Sequence, residues 1–234
     1  MNALPHWKNT TAIFGGRFDP PHLGHREAVL GLLESPGVEN VLVIPTGSPP
    51  HKKTFLSIQD RAELCRLNFT FAEPLLAQRI QLDFQELDRA SSFPQTPSYS
   101  FDTLKRLQAK KLNLAFVLGS DQLTYLPKWH RFPEILDLCH WIVLGRKPHG
   151  LAKARQTLQD WQEQALIKEI APHYWVNLRS AKTCFHLTST QATQCSSTEI
   201  RHFLSQKGAP PPHTLLSEVD TYLKKHALYS SMYL

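Results

Sequence analysis

Two histidines, His22 and His25, stand three positions apart in the run Gly15-Gly16-Arg17-Phe18-Asp19-Pro20-Pro21-His22-Leu23-Gly24-His25. On a helix that spacing puts both imidazoles on one face. Pro20 and Pro21 suit the approach to a helix and its first turn, where a missing N–H costs little. The unpaired N–H groups and positive dipole end of such a helix form an anion site. Gly24, between the imidazoles, leaves room for a close backbone approach. The chemistry this implies is the binding of phosphates, above all those of a nucleotide. A zinc reading lacks both a helical H-E-x-x-H and spaced Cys or carboxylate partners, so no residue is assigned to a metal.

Five further segments carry groups that suit a nucleotide. Pro45-Thr46-Gly47-Ser48-Pro49-Pro50-His51-Lys52-Lys53 offers Lys52 and Lys53 as point charges for a phosphate, or a solvated basic turn. In Pro97-Ser98-Tyr99-Ser100-Phe101-Asp102-Thr103, either Ser98 or Ser100 is suited to cap a helix. Gly119-Ser120-Asp121 supplies a carboxylate for ribose hydroxyls or for an N-cap, and Trp129 supplies a ring for stacking or for the core. Gly145-Arg146-Lys147-Pro148 brings two cations to another strand end, as a phosphate contact or a solvated turn. In Cys195-Ser196-Ser197-Thr198-Glu199-Ile200-Arg201, Ser197 or Thr198 is expected to cap a helix that brings Arg201 to an anion.

The elements that must position these groups follow from hydropathy. Apolar, β-branched runs at Thr11–Phe14, Val38–Ile44, Arg79–Phe84, Leu112–Leu118 and His140–Leu144 alternate with helical patterns at 24–33, 58–72, 100–111 and 132–138. That alternation predicts an α/β fold with a Rossmann-like, doubly wound parallel sheet. Ligands of such sheets sit at the C-terminal ends of the strands. Residues 151–170 and 215–226 read as further helices. We therefore expect a single domain over 1–234, with a sheet core in 11–150 and a helical part in 151–234. Phe93–Pro97 and Gly208–Pro212 are short proline-rich loops.

The chain has 234 residues, 41% of them hydrophobic and 20% charged, as in ordinary globular proteins. A net charge of +6 suits polyanionic ligands, but the basic residues are scattered, which argues against nucleic acid as a partner. The four cysteines form no C-x-x-C pair and read as reduced thiols. No run reaches membrane-spanning length, and Pro5, His6 and Lys8 interrupt any leader, so the expected location is cytoplasmic and no membrane partner is expected.

The Gly-Gly-x-Phe-Asp-Pro-Pro-His-x-Gly-His run resembles the signature of the HxGH nucleotidyltransferase superfamily, which includes the adenylyltransferases of NAD and coenzyme A synthesis. The Ser-Ser-Thr-x-Ile-Arg run resembles its second signature, with Cys195 in place of isoleucine. Pro-Pro-His-Lys, Pro-Ser-Tyr and Gly-x-Asp…Trp narrow the resemblance to bacterial nicotinate mononucleotide adenylyltransferases. It implies transfer of an adenylyl group from ATP to the mononucleotide, with Mg²⁺ bridging the ATP phosphates. It places Gly15, Gly16, Phe18, Gly24 and Gly119 around ATP, and His22, His25, Ser197, Thr198 and Arg201 on its phosphates. Lys52, Tyr99, Thr103, Asp121, Trp129 and Arg146 are assigned to nicotinate mononucleotide, Trp129 stacking on the pyridine. Backbone N–H groups at the helix start near Tyr99 would favour a carboxylate over an amide. Arg17 stands where Ser or Thr is common, and 91–96 reads as an insertion. Phosphopantetheine adenylyltransferase, an amide-preferring enzyme and a silent nucleotide-binding regulator are the alternatives, and self-association into a homo-oligomer is compatible with the sequence.

Overall fold

A computed structural model describes residues 7–50, 54–146, 150–190, 192–193, 195–206 and 208–230. Its elements run β1 (Thr10–Gly16), α1 (Leu23–Leu33), β2 (Val38–Pro45), α2 (Ile58–Phe69), α3 (Pro74–Arg79), β3 (Ile80–Leu82), α4 (Gln85–Ser92), α5 (Ser100–Gln108), β4 (Asn113–Gly119) and α6 (Ser120–Leu123). There follow β5 (His140–Arg146), α7 (Gly150–Glu163), β6 (Ile167–Ala171), β7 (Tyr174–Asn177), β8 (Cys184–Thr190), α8 (Ser197–Ser205) and α9 (Ser217–Lys225). The strand order is β3-β2-β1-β4-β5-β8-β7-β6. It reverses at β1, the switch point where doubly wound sheets bind ligands.

The chain forms two compact units, each built from three stretches. One comprises 1–15, 33–41 and 99–191. Within it β1 pairs parallel with β4, β4 with β5, and β5 with β8. Its strand β4 is apolar on both faces: Leu114 to Leu118 are all buried, as a sheet covered on both sides requires. Trp141 and Phe185 stack across β5 and β8 with ring centroids 5.9 Å apart.

The other unit comprises 16–32, 42–98 and 192–234. Here α2 starts at Ser57, whose hydroxyl accepts from the Asp60 amide at 3.0 Å. Its buried stripe is Arg61, Leu64, Cys65 and Asn68, the spacing of one helix face. Leu64 joins Val219 and Leu223 of α9 and Tyr229 in a core cluster.

Three expectations need correction. The sheet is mixed, because β6 pairs antiparallel with β7 and β7 with β8. The segment from 151 onward is also not wholly helical, since it contributes these three strands. The helix expected to reach residue 170 ends at Glu163. Ala165 takes a positive φ of 56°, and Ile167–Ala171 then continues as a strand with one buried end. That segment's Lys and Glu content mimics a continuing helix, and five residues are too few for a period of two to stand out. Two helices, α3 and α4, were not anticipated. Glu73 caps α3 by accepting from the Leu75 and Leu76 amides. The helix expected at 132–138 is a single 3-10 turn, Glu134–Asp137.

Candidate active site

In the unit holding residues 16–32, 42–98 and 192–234, the starts of α1 and α8 lie side by side. Ser197 Oγ donates to the Pro20 carbonyl at 2.8 Å, and Cys195 Sγ lies 3.2 Å from His22 Nδ1. Arg201, one turn into α8, donates from Nη1 to the Asp19 carbonyl at 2.6 Å. Two positive helix ends therefore converge at one place, where each adds its field to the other's on any bound anion.

His22 and His25 share a face as expected, their rings stacked 3.6 Å apart. His22 is 2% exposed. His25 is half-buried and meets the edge of Phe18 at 5.1 Å. Phe18 takes a φ of 49° that turns its ring inward, and a Cβ on Gly16 would sit 2.8 Å from that ring. Only glycine fits there. A Cβ on Gly24 would lie 2.5 Å from the Thr193 carbonyl, so Gly24 is required by this chain's own backbone. Glu27 of α1 clamps that segment by accepting from the Thr193 amide and, at 2.9 Å, from its hydroxyl.

The cap of α8 differs from the expectation. Ser196 is the N-cap, accepting from the Glu199 amide at 3.2 Å and donating to the Glu199 carboxylate at 2.7 Å. Ser197 is turned to Pro20 instead, and Thr198 Oγ1 accepts from Arg201 Nη2 at 3.0 Å. Arg201 is thus a buried brace, 5% exposed, whose Nε has no hydrogen-bond partner among the described residues.

Beneath these helix starts lies a charged cradle that sequence reasoning missed. Asp19 is fully buried, and its carboxylate accepts from the Phe55 amide at 2.8 Å and from the Tyr229 hydroxyl at 2.6 Å. Burial, then the charge and hydrogen bond of Asp19, drive the Tyr229 hydroxyl far above its ordinary pKa, so it stays a donor. Arg61, 1% exposed, donates to the Arg17, Thr46 and Gly47 carbonyls and so ties together the turns that follow β1 and β2. Burial, followed by the like charge of Arg201, lowers the pKa of Arg17. One signal was available: Arg61 and Asn68 interrupt the apolar stripe of α2.

The other unit carries the remaining described residues. Gly15 is the penultimate residue of β1 and Gly119 the last of β4, the strands that flank the switch point. A Cβ on Gly15 would rest 3.6 Å from the Phe116 ring, and Trp129 meets Phe116 edge-on at 5.8 Å. Trp129 is only half-buried, so it is not a core residue. Tyr99 stacks on His130 at 4.3 Å, with Phe101 edge-on to the same imidazole. Asp121 is exposed and accepts from Gln122; Gly119, not Asp121, holds the N-cap position of α6. Thr103 lies on the buried face of α5, 2% exposed, with its hydroxyl accepting from Arg106 at 3.2 Å. Neither Ser98 nor Ser100 caps α5: Tyr99 holds that position without a side-chain bond. Lys52 and Lys147 lie outside the described residues, as does the side chain of Arg146 at the end of β5.

A cytidylyltransferase-like family model matches residues 13–203. A probable nicotinate-nucleotide adenylyltransferase of Serratia proteamaculans is 33% identical over 93% of this chain and 94% of that protein. One from Pectobacterium atrosepticum is 33% identical over 94% of this chain and 98% of its own length. Among solved structures, a Plasmodium falciparum nicotinic acid mononucleotide adenylyltransferase complexed with NaAD has a TM-score of 0.70 at 16% identity, over 95% of this chain and 98% of that one. That likeness concerns the fold. The chain belongs to the nicotinate-nucleotide adenylyltransferases of the cytidylyltransferase-like family.

Proposed function

We propose that this enzyme transfers the adenylyl group of ATP to nicotinate mononucleotide, releasing pyrophosphate and forming nicotinate adenine dinucleotide. The observation that carries the reading is the pairing of the α1 and α8 starts around His22, His25 and Ser197. The names of the relatives point to the same acceptor. An oxygen of the mononucleotide phosphate attacks the α-phosphorus, and the bond from that phosphorus to the bridging oxygen of the β-phosphate breaks. The attacking phosphate is already anionic at neutral pH, so the chain needs no general base. Its task is to align the two reactants and to neutralise charge on the leaving pyrophosphate. The imidazoles of His22 and His25 and the positive N-terminal ends of both helices do the second, with Arg201 keeping the helices together. Tyr99 and Trp129 provide stacking faces for the pyridine, and Lys52 and Arg146 are assigned to mononucleotide phosphate.

Magnesium is assigned to the substrate, as Mg·ATP. Asp19, in the turn before α1, already accepts from Phe55 and Tyr229, so it is not placed to ligate an ion. Mg²⁺ commonly keeps waters and binds through substrate phosphates. No helix among the described residues is long and apolar enough to cross a membrane. The four cysteines are buried free thiols, which supports a reducing, cytoplasmic setting.

The test is pyrophosphate release and dinucleotide formation from ATP, Mg²⁺ and nicotinate mononucleotide, run beside phosphopantetheine. One-to-one product with the mononucleotide alone is expected. Turnover of phosphopantetheine instead would overturn the assignment.

A further inference from the structure

We propose that Cys195 is a positioning residue for His22, fixing which ring nitrogen carries the proton. The thiol sulfur lies 3.2 Å from His22 Nδ1, and both residues are buried, at 6% and 2% exposure. A neutral imidazole nitrogen is a good acceptor, whereas thiol sulfur is a weak one. The favoured arrangement is therefore S–H donating to Nδ1. That leaves the ring proton on Nε2, on the side of the ring away from Cys195, where it serves as a donor to an anion.

Both partners are held in place. The Cys195 amide donates to the Thr193 carbonyl at 3.0 Å, and Thr193 is clamped by Glu27 of α1. The His22 carbonyl accepts from the His25 and Arg26 amides at 2.9 and 3.2 Å, while its ring stacks on that of His25. The thiol thus rides on a segment anchored to the same helix as the imidazole it orients. An isoleucine at this position, as in the signature the sequence resembles, would pack but could not donate. The pairing deepens the adenylyl-transfer reading, on which its catalytic consequence rests.

The test combines spectroscopy and kinetics on the full chain. Long-range proton–nitrogen NMR of the ¹⁵N-labelled enzyme reports the His22 tautomer directly, before any turnover is measured. Wild type and Cys195→Ser, which keeps a donor, should both show the proton on Nε2. Cys195→Ala and the shape-preserving Cys195→Val should show mixed tautomers. Both should lose roughly 10-fold in kcat, as expected for a misaligned group, with the KM for ATP nearly unchanged. Cys195→Ser should restore most of that loss, which a packing role would not explain. A wild-type ring protonated on Nδ1 would overturn the proposal, as would donor-free variants with unaltered tautomer and kcat. Absence of pyrophosphate release by wild type would instead overturn the adenylyl-transfer reading, with the tautomer still deciding the pairing.

Discussion

Replacing Arg61 by methionine should uncouple the turns that carry the phosphate-binding groups. The guanidinium is 1% exposed. It donates from Nε at 3.1 Å and Nη2 at 2.8 Å to the Arg17 carbonyl, from Nη1 at 3.3 Å to that of Gly47, and from Nη2 to that of Thr46. Methionine fills much of the same volume but donates nothing, so the three carbonyls lose their charged partner. A hydrogen bond to a charged group contributes about 1.5–3 kcal/mol, and a buried orphan acceptor costs about 1–3 kcal/mol. These contributions overlap, and water reaches part of the site, so a loss of about 3–5 kcal/mol is expected. In a chain of this size that is a fall in Tm of roughly 6–20 °C. Arg61→Lys should fall between, because one ammonium cannot span three carbonyls. Urea denaturation followed by fluorescence measures the loss, and kcat/KM at low temperature measures the displaced turns. A loss below about 1 kcal/mol would show that Arg61 is not the tie between the turns.

Gly24→Ala must push aside the Thr193 carbonyl, 2.5 Å from the new Cβ, and should lower kcat/KM by roughly 10²-fold while the fold survives; near wild-type activity would deny the close approach its importance. Arg201→Lys should lose both activity and roughly 1–2 kcal/mol of stability, read from urea midpoints, because an ammonium cannot hold the Asp19 carbonyl and Thr198 together. His186 gives the stability a defined pH dependence. Burial, then the like charge of His173, lowers its pKa from 6.5 to about 4, so the unfolded chain binds the extra proton between those values. Its contribution is complete above pH 6.5 and is lost as pH falls towards about 4. The loss reaches about 2 kcal/mol at pH 5 in urea titrations, and His186→Phe should flatten that slope.

What the sequence reveals here is what lies close together along it. The Gly15–His25 run and the Ser196–Arg201 helix start are contiguous motifs, so their anion-binding character could be read before any fold was known. Trp129 kept two readings until its half-exposed position against Phe116 decided against the core. The partners of Arg61 and Tyr229 were not legible, because Arg17 and Asp19 lie 44 and 210 positions away. Thr103 was assigned from its motif, yet which helix face is buried depends on how α5 packs, and Thr103 lies on the buried one. The strands after residue 163 were hidden for a local reason. β6 and β7 have only five and four residues, β6 carries Lys168 and Glu169, and tight turns at Ala165 and His173, both with positive φ, bracket β6.

The acceptor decides the central claim most directly. Specificity constants for nicotinate and nicotinamide mononucleotides, each with saturating Mg·ATP, should differ by at least about 10-fold in favour of the acid. Only ~1.4 kcal/mol of differential transition-state binding is required for that ratio. Equal constants, or a preference for the amide, would contradict it.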